Sequence, residues 1–198
     1  MYRYVLALAG ALVISAPTHA VTLDSATLNG NALDTSFSSA SLLALDLTLF
    51  NALPTAMSFV VDADDIAAGG IDFNALIREV SGAGLPGLRL TLSGARFGSI
   101  GSARGATQSG DLPDVTFGGS ATDVIVSAVA SASASFTEIY VGNPFYEDTL
   151  DDWRIAFDTM HAGDVFSLNV AVVPEPREWM LMLAGLGMIG LSAARRIG

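Results

Sequence analysis

The most chemically suggestive residues of this sequence lie in two short acidic runs. The first is the segment DADD at residues 62–65, followed by Asp72, and carboxylate oxygens of this kind are ligands for Ca²⁺. The run lacks the glycine and the glutamate that an EF-hand loop requires at its sixth and twelfth positions. Asp62, Asp64, Asp65 and Asp72 are therefore weak calcium candidates, with a solvated loop as the alternative, and we predict no metal or other cofactor.

The second acidic run surrounds a tryptophan. Its members are Glu147, Asp148, Asp151 and Asp152, directly before Trp153. Carboxylates beside an aromatic ring can bind sugar or act as an acid/base pair. The alternative is that these are solvated residues directly before a strand. The spacing alone does not place two of the carboxylates in a catalytic geometry. We therefore predict no catalytic residue and expect a protein that is not an enzyme.

His161 is the one histidine outside the N-terminal segment, and the chain has no cysteine. A His-rich zinc site and thiolate chemistry are thus excluded, and a Ser-His-Asp triad would have to use His161. No serine lies in a GxSxG motif, and the segment HAGD at 161–164 is typical of a turn. We expect a structural role for this histidine.

The charge balance is strongly acidic. The formal net charge is −11, lysine is absent, and residues 21–172 contain eighteen Asp and Glu against five Arg. Nucleic-acid binding needs clustered positive charge to neutralise phosphates, so the composition excludes it as an expected function. Attraction to anionic lipid headgroups is disfavoured for the same reason.

The central region alternates apolar and polar residues, as half-buried strands require. Strands are predicted at 43–49, 88–93, 153–158 and 166–172, and the Ala/Ser alternation at 127–135 is kept inside the domain. Only IDFNALIREV at 71–80 is predicted as a helix, with Asp72 as its cap and an apolar stripe of Phe73, Leu76, Ile77 and Val80. Many short strands predict an all-β antiparallel β-sandwich with one short helix, and a jelly roll is the variant arrangement.

The N-terminus has the three parts of a secretory signal peptide. MYRY carries a positive charge, VLALAGALVISA is apolar, and APTHA is a cleavage region rich in small residues. We predict export across the inner membrane and cleavage after Ala20. A buried N-terminal helix or an uncleaved anchor is the alternative, but the apolar stretch is short for a membrane span.

The C-terminus contains a second apolar segment. Residues 179–194 carry no charge and would rise about 24 Å as a helix, somewhat less than the hydrocarbon core of a bilayer. Trp179 suits one membrane interface, and Arg195 and Arg196 can snorkel to the other. Because positive charge stays cytoplasmic, the sequence predicts a transmembrane helix with the preceding domain outside.

The order of these C-terminal parts resembles a known sorting signal. Val173, Pro174, Glu175 and Pro176, then Trp179, a Leu/Gly/Ala-rich run and terminal Arg195–Arg196 resemble the PEP-CTERM signal of exported proteins in Gram-negative bacteria that make exopolysaccharide. In that family the tail is recognised by exosortase, a multi-spanning inner-membrane enzyme that resembles transpeptidases. This enzyme is considered to cut near the Pro-Glu-Pro. The resemblance implies that Pro174, Glu175 and Pro176 are the recognition element, that 179–194 is a transient anchor, and that Arg195 and Arg196 are the stop signal.

The sequence therefore divides into a signal peptide at 1–20, an exported domain at 21–172 and a sorting tail at 173–198. We expect a non-enzymatic protein of the cell envelope or extracellular matrix, with exosortase, the inner membrane and exopolysaccharide as partners. Two alternatives stay open. One is a secreted polysaccharide hydrolase that uses the clustered carboxylates, and the other is a calcium-dependent binding or adhesive module.

Overall fold

The computed structural model describes residues 21–109, 115–128 and 136–173, together with the single residue 186. Within these ranges the chain forms thirteen strands and one short helix, which confirms the predicted all-β class. In chain order the elements are β1 (Val21–Thr27), β2 (Ala32–Asp34), β3 (Leu42–Leu49), β4 (Thr55–Val61), α1 (Ala63–Ala68), β5 (Gly70–Glu79), β6 (Gly87–Ser93), β7 (Arg96–Ser99), β8 (Ala103–Ala106), β9 (Val115–Ser120), β10 (Asp123–Ala128), β11 (Glu138–Val141), β12 (Trp153–Ala156) and β13 (Val165–Val172).

The strands form two sheets. Sheet A has the order β1-β4-β13-β6-β10-β9, and all of its pairings are antiparallel. Sheet B has the order β2-β3-β5-β11-β8. Strand β12 also pairs with β5, along a different part of that strand, and β7 pairs with β12. Strand β5 is the longest in sheet B, because it meets β3 on one side and both β12 and β11 on the other.

One pairing in sheet B differs from the predicted antiparallel arrangement. Strands β3 and β5 run parallel, with Leu42 opposite Asp72 and Leu49 opposite Glu79. Between them the chain crosses to sheet A, forms β4 and α1, and returns. A parallel pair needs such a long crossover connection, so the purely antiparallel prediction is wrong for this pair.

The core lies between the sheets and consists of the inward-facing residues of strands in which inward and outward residues alternate. Leu43, Leu45, Leu47 and Leu49 of β3 are at most 4 % exposed, as the alternation predicts. From sheet A, Phe59 and Phe166 stack with ring centroids 5.3 Å apart. The strands predicted at 43–49, 88–93 and 166–172 are confirmed, and the one predicted at 153–158 ends earlier, at Ala156.

The predicted helix at 71–80 is wrong, because residues 71–79 belong to β5, which ends at Glu79. Ile71, Phe73, Ala75 and Ile77 point into the core with the period of two that a strand requires. Leu76 is also buried, at 6 % exposure, although it lies on the opposite face of the strand. Burial on both faces gave the segment an apolar pattern that resembles helical periodicity.

Among the described ranges, the short helix begins in the first acidic run. Helix α1 covers Ala63–Ala68 and ends at Gly69, whose φ of 69° is the left-handed conformation that glycine adopts without strain. The next residue, Gly70, begins β5 beside the backbone of Ile155, where a Cβ atom would collide with the Ile155 carbonyl oxygen. Glycine is required here for close approach of two backbones.

Candidate functional site

The carboxylates of the first acidic run act as helix caps. The backbone N–H groups of Asp64 and Asp65 donate to Asp62 Oδ1 at 2.8 and 2.9 Å. In return, the Asp62 N–H donates to Asp65 Oδ2 at 3.0 Å. This reciprocal arrangement is a capping box, which satisfies N–H groups that have no partner inside the helix. The run therefore begins α1 instead of forming an open loop.

Asp65 is the buried member of this pair. Its residue is 4 % exposed, and burial raises the pKa of its carboxyl to about 6. The nearby charges of Asp62 and Asp64 raise the pKa further, while the hydrogen bond from the Asp62 N–H lowers it. A raised pKa marks a group worth testing for function, but hydrogen bonding within a cap accounts for the position of this one.

The weak calcium candidates do not converge. Asp72 lies on β5, where its Oδ1 accepts from Arg154 Nη1 at 3.1 Å, whereas Asp62 and Asp65 accept from backbone N–H groups at the start of α1. In the part of the chain that the structure describes, no group of three or more His, Asp or Glu side chains is arranged to hold a metal ion.

The carboxylates of the second acidic run also have separate roles. Glu147 pairs with Arg104 at 2.9 Å, and Asp152 Oδ1 accepts from the Asn143 N–H at 2.7 Å and from Asn74 Nδ2 at 3.2 Å. Asp148 and Asp151 are exposed. Glu147 and Asp152 thus stabilise one loop and its junction with β12, and none of the four carboxylates lines either of the two cavities described below.

Trp153, which follows this run, belongs to the core. It is fully buried, packs edge to face against Phe97 and Phe117, and donates from Nε1 to the Ser102 carbonyl oxygen at 2.7 Å. Its ring is therefore not accessible to a sugar, and the sugar-binding interpretation of this residue is wrong.

His161 lies in an exposed turn. Its backbone N–H donates to Asp164 Oδ2 at 2.8 Å, and the imidazole is 88 % exposed with Nδ1 3.5 Å from the same carboxylate oxygen. The contact within HAGD is local and fixes the turn before β13. This position agrees with the expected structural role.

A groove on the outer face of sheet B combines aromatic rings with polar groups. We call it the aromatic groove, and its volume is about 350 Å³, within the range of about 300–1,000 Å³ usual for small-molecule sites. Outward side chains of β3 and β5 form its floor, where the parallel register places Asp46 opposite Leu76. Its lining residues are Phe37, Ala44, Leu45, Asp46, Asn74, Leu76, Arg78, Pro144, Phe145 and Tyr146.

Three aromatic rings at this groove are open to solvent. Phe37, from the loop between β2 and β3, is 63 % exposed, and Phe145 and Tyr146, from the loop after β11, are 53 % and 72 % exposed. Phe145 packs edge to face on Tyr140, with ring centroids 5.2 Å apart. These exposed rings lie together with polar side chains at one groove, an arrangement that interaction sites share.

Two polar side chains of the groove, Asp46 and Arg78, are held by each other and by neighbouring residues of β11. Arg78 Nη1 donates to Asp46 Oδ1 at 2.9 Å, and Arg78 Nε lies 3.4 Å from Glu138 Oε1. Tyr140 donates from its hydroxyl to Glu138 Oε2 at 2.6 Å. Burial first, and then this hydrogen bond to a carboxylate, raises the pKa of Tyr140 to about 12, so the phenol stays protonated.

The loop that carries Phe145 and Tyr146 is fixed by Asn143. Its amide donates to the carbonyl oxygens of Glu147 and Leu150 at 2.8 and 3.0 Å and accepts from the Glu147 N–H at 2.7 Å. Tyr146 has a φ of 57°, a left-handed conformation that a bulky residue rarely adopts. The loop is thus ordered by its own hydrogen bonds while presenting its aromatic rings outward.

Sequence reasoning missed the aromatic groove. Phe37 and the pair Phe145–Tyr146 lie far apart in the chain and outside the predicted strands, so nothing in their spacing connects them. The available signal was Asn143-Pro144 followed by two aromatic residues, because a turn rich in aromatic side chains is unusual for a solvated loop.

A second cavity of about 480 Å³ lies where β1 and β2 form neighbouring edges of the two sheets, and Val21, Leu33 and Phe59 are among its lining residues. The Asp34 carboxylate at this cavity accepts from the Ser36 N–H at 2.8 Å, which lowers the pKa of Asp34. This cavity is larger than the aromatic groove, but the one aromatic residue in its lining is the buried Phe59.

Comparisons with models of known protein families, with curated proteins and with solved structures found no significant match. Within the described ranges, no helix is long and apolar enough to cross a membrane. The predicted signal peptide at 1–20 and the sorting residues Pro174, Glu175, Pro176, Trp179, Arg195 and Arg196 lie outside those ranges.

Proposed function

We propose that this protein is an exported, non-enzymatic component of the cell envelope or extracellular matrix, sorted by an exosortase through its C-terminal tail. The observation that carries the proposal is the sequence Pro174-Glu175-Pro176 followed by an uncharged segment and terminal Arg195–Arg196. Each part of this tail has a physical role during export. The arginines resist translocation, the apolar segment pauses in the membrane, and the Pro-Glu-Pro is left on the outer side.

The end of the described domain supports this division. Strand β13 lies inside sheet A between β4 and β6, and it ends at Val172. The Val173 N–H still donates to the Gly87 carbonyl oxygen at 3.0 Å. Pro174 and Pro176 then follow, and proline has no N–H with which to continue a ladder. Cleavage near the Pro-Glu-Pro would thus remove the tail without cutting a strand of the domain.

The carboxylates of the domain support a role other than catalysis. Glu147, Asp72 and Asp46 pair with arginines, Asp62 and Asp65 cap a helix, and Asp152 fixes a loop. A glycosidase needs two carboxyl groups that face each other across a substrate at about 5–10 Å. The proposal accordingly assigns the domain to binding or structure.

The experiment compares two bacterial hosts, one with exosortase and one without, that express the full-length chain. We expect the protein to leave the inner-membrane fraction only in the host with exosortase. Replacing Arg195 and Arg196 by serine removes the cytoplasmic charge, so this variant should be processed poorly or mislocalised. Arg177→Ser is the matched control, because it removes a tail arginine but leaves the terminal pair. Identical fractionation in the two hosts would refute sorting by exosortase.

A further inference from the structure

The aromatic groove combines side chains that suit a sugar polymer. We propose that it binds a neutral polysaccharide, with Phe37, Phe145 and Tyr146 contacting sugar rings and Asp46 and Arg78 contacting hydroxyl groups. The inference deepens the proposed function, because it gives the exported domain a ligand, but it rests on the groove alone and not on processing of the tail.

The aromatic rings are the first observation. The faces of an aromatic ring carry partial negative charge, and the C–H groups on the face of a pyranose carry partial positive charge, so the two surfaces attract and exclude water together. Phe37 and Tyr146 are among the most exposed large hydrophobic residues described, yet both line one groove. Such exposure is unfavourable in water unless a partner covers it.

The backbone of Tyr146 is the second observation. Its positive φ is a conformation that costs free energy for a residue with a Cβ and that glycine would adopt freely. A tyrosine is nevertheless present, and it is 72 % exposed, so its ring adds little packing to the domain. The ring is thus placed at the groove at the expense of stability, as residues at binding sites often are.

The polar floor is the third observation. Asp46 offers acceptors and Arg78 offers donors, and both side chains remain partly exposed, at 20 % and 37 %. Asp46 is held by Arg78, and Arg78 is held in turn by Glu138, which accepts from the Tyr140 hydroxyl. Polar groups fixed before binding lose little entropy when they meet vicinal hydroxyl groups, which present a donor and an acceptor side by side.

The charges of the protein favour a neutral polysaccharide over an anionic one. Each of the five arginines in residues 21–172 pairs with a carboxylate in the structure, and the sequence contains no lysine. At the groove, Asp46 and Glu138 together offset Arg78. No cation therefore balances a uronic acid or a sulfate, and the net charge of −11 repels a polyanion.

The test is affinity electrophoresis of the full-length chain, purified in a neutral detergent, through native gels that contain a mixed-linkage β-glucan, a galactomannan or alginate. We expect at least one of the two neutral polymers to retard the protein and alginate to leave it unretarded. Phe37→Ala combined with Tyr146→Gly should weaken binding by about tenfold or more, since two of the three ring contacts with the polymer are lost. Phe50→Ala, which removes an exposed ring that does not line the groove, is the matched control.

Four results would overturn the proposal. These are no retardation by either neutral polymer, retardation by alginate alone, equal retardation of the groove variant and the Phe50 variant, or a dimer in sedimentation that becomes a monomer only in the groove variant. The last result would show that a second copy of the chain covers the groove. A chain that binds glucan but keeps its tail in the exosortase host would retain this inference while refuting the sorting proposal.

Discussion

At the scale of single residues, the position of Asp65 shows how one carboxylate can serve a helix and still weaken the folded state. Its pKa of about 6 lies above the usual 3.8, so the folded chain binds this proton more tightly than the unfolded chain does. Stability associated with this group is therefore greatest below about pH 4, falls between pH 4 and 6, and stays lower above pH 6.

The substitution Asp65→Asn tests this relation. The amide oxygen can still accept from the Asp62 N–H, but the buried charge is gone. We expect the free energy of unfolding at pH 7.5 to increase by on the order of 1 kcal/mol and to change little at pH 4. Urea denaturation at both pH values measures the effect, with the exposed neighbour Asp64→Asn as the control. A variant that is less stable than the wild type at pH 7.5 would contradict the argument.

Asp152 has the opposite role, because its carboxylate satisfies buried groups. It accepts from Asn143 and from Asn74, and Asn74 is only 3 % exposed. Asp152→Ala leaves these donors with fewer partners, and we expect a loss of about 1–3 kcal/mol in the free energy of unfolding. Asp151→Ala removes an exposed carboxylate one residue earlier and should change stability little. Equal urea midpoints for the two variants would contradict the assigned role.

At the scale of elements, strands β3, β6 and β13 could be predicted from the sequence because one face of each meets the core and the alternation is clear. Strand β5 could not, because loops cover its outer face and bury Leu76 and Asn74 there. The parallel pairing of β3 and β5 also escaped prediction, because it depends on a crossover through the other sheet. The aromatic groove depends on that pairing, so it was hidden for the same reason.

Close packing on a strand gives another prediction at this scale. Gly105 of β8 lies against the ring of the fully buried Phe136, where a Cβ atom would collide with the ring. Gly105→Ala should therefore lower the free energy of unfolding by about 1–3 kcal/mol through overpacking. Gly118→Ala on β9, where a Cβ meets no atom within 4 Å, is the matched control. Thermal unfolding with no difference between the variants would show that the ring can move aside.

At the scale of the whole molecule, the described strands form two sheets around one core, and cysteine is absent from the sequence. Stability therefore comes from apolar burial between the sheets, not from disulfides. The acidic surface and the paired arginines agree with the expectation that the domain does not bind nucleic acid, which stays a prediction.

Expression of residues 21–173 without the two terminal segments tests this view of the domain. We expect a soluble, monodisperse protein whose far-ultraviolet circular dichroism is dominated by β-structure, because both sheets lie within these residues. The same sample should show no salt-sensitive shift of DNA in a gel. A spectrum dominated by helix would contradict the fold, and a salt-sensitive shift would contradict the electrostatic argument.

The measurement that tests the central claim most directly is the intact mass of the mature protein from a host that contains exosortase. The account predicts a chain that begins near Val21 and ends near Pro174-Glu175-Pro176, without the apolar segment and without Arg195 and Arg196. A mass equal to residues 21–198, recovered only by extracting the membrane, would contradict it. The tail would then be a permanent anchor, and Glu175 a residue between two linker prolines.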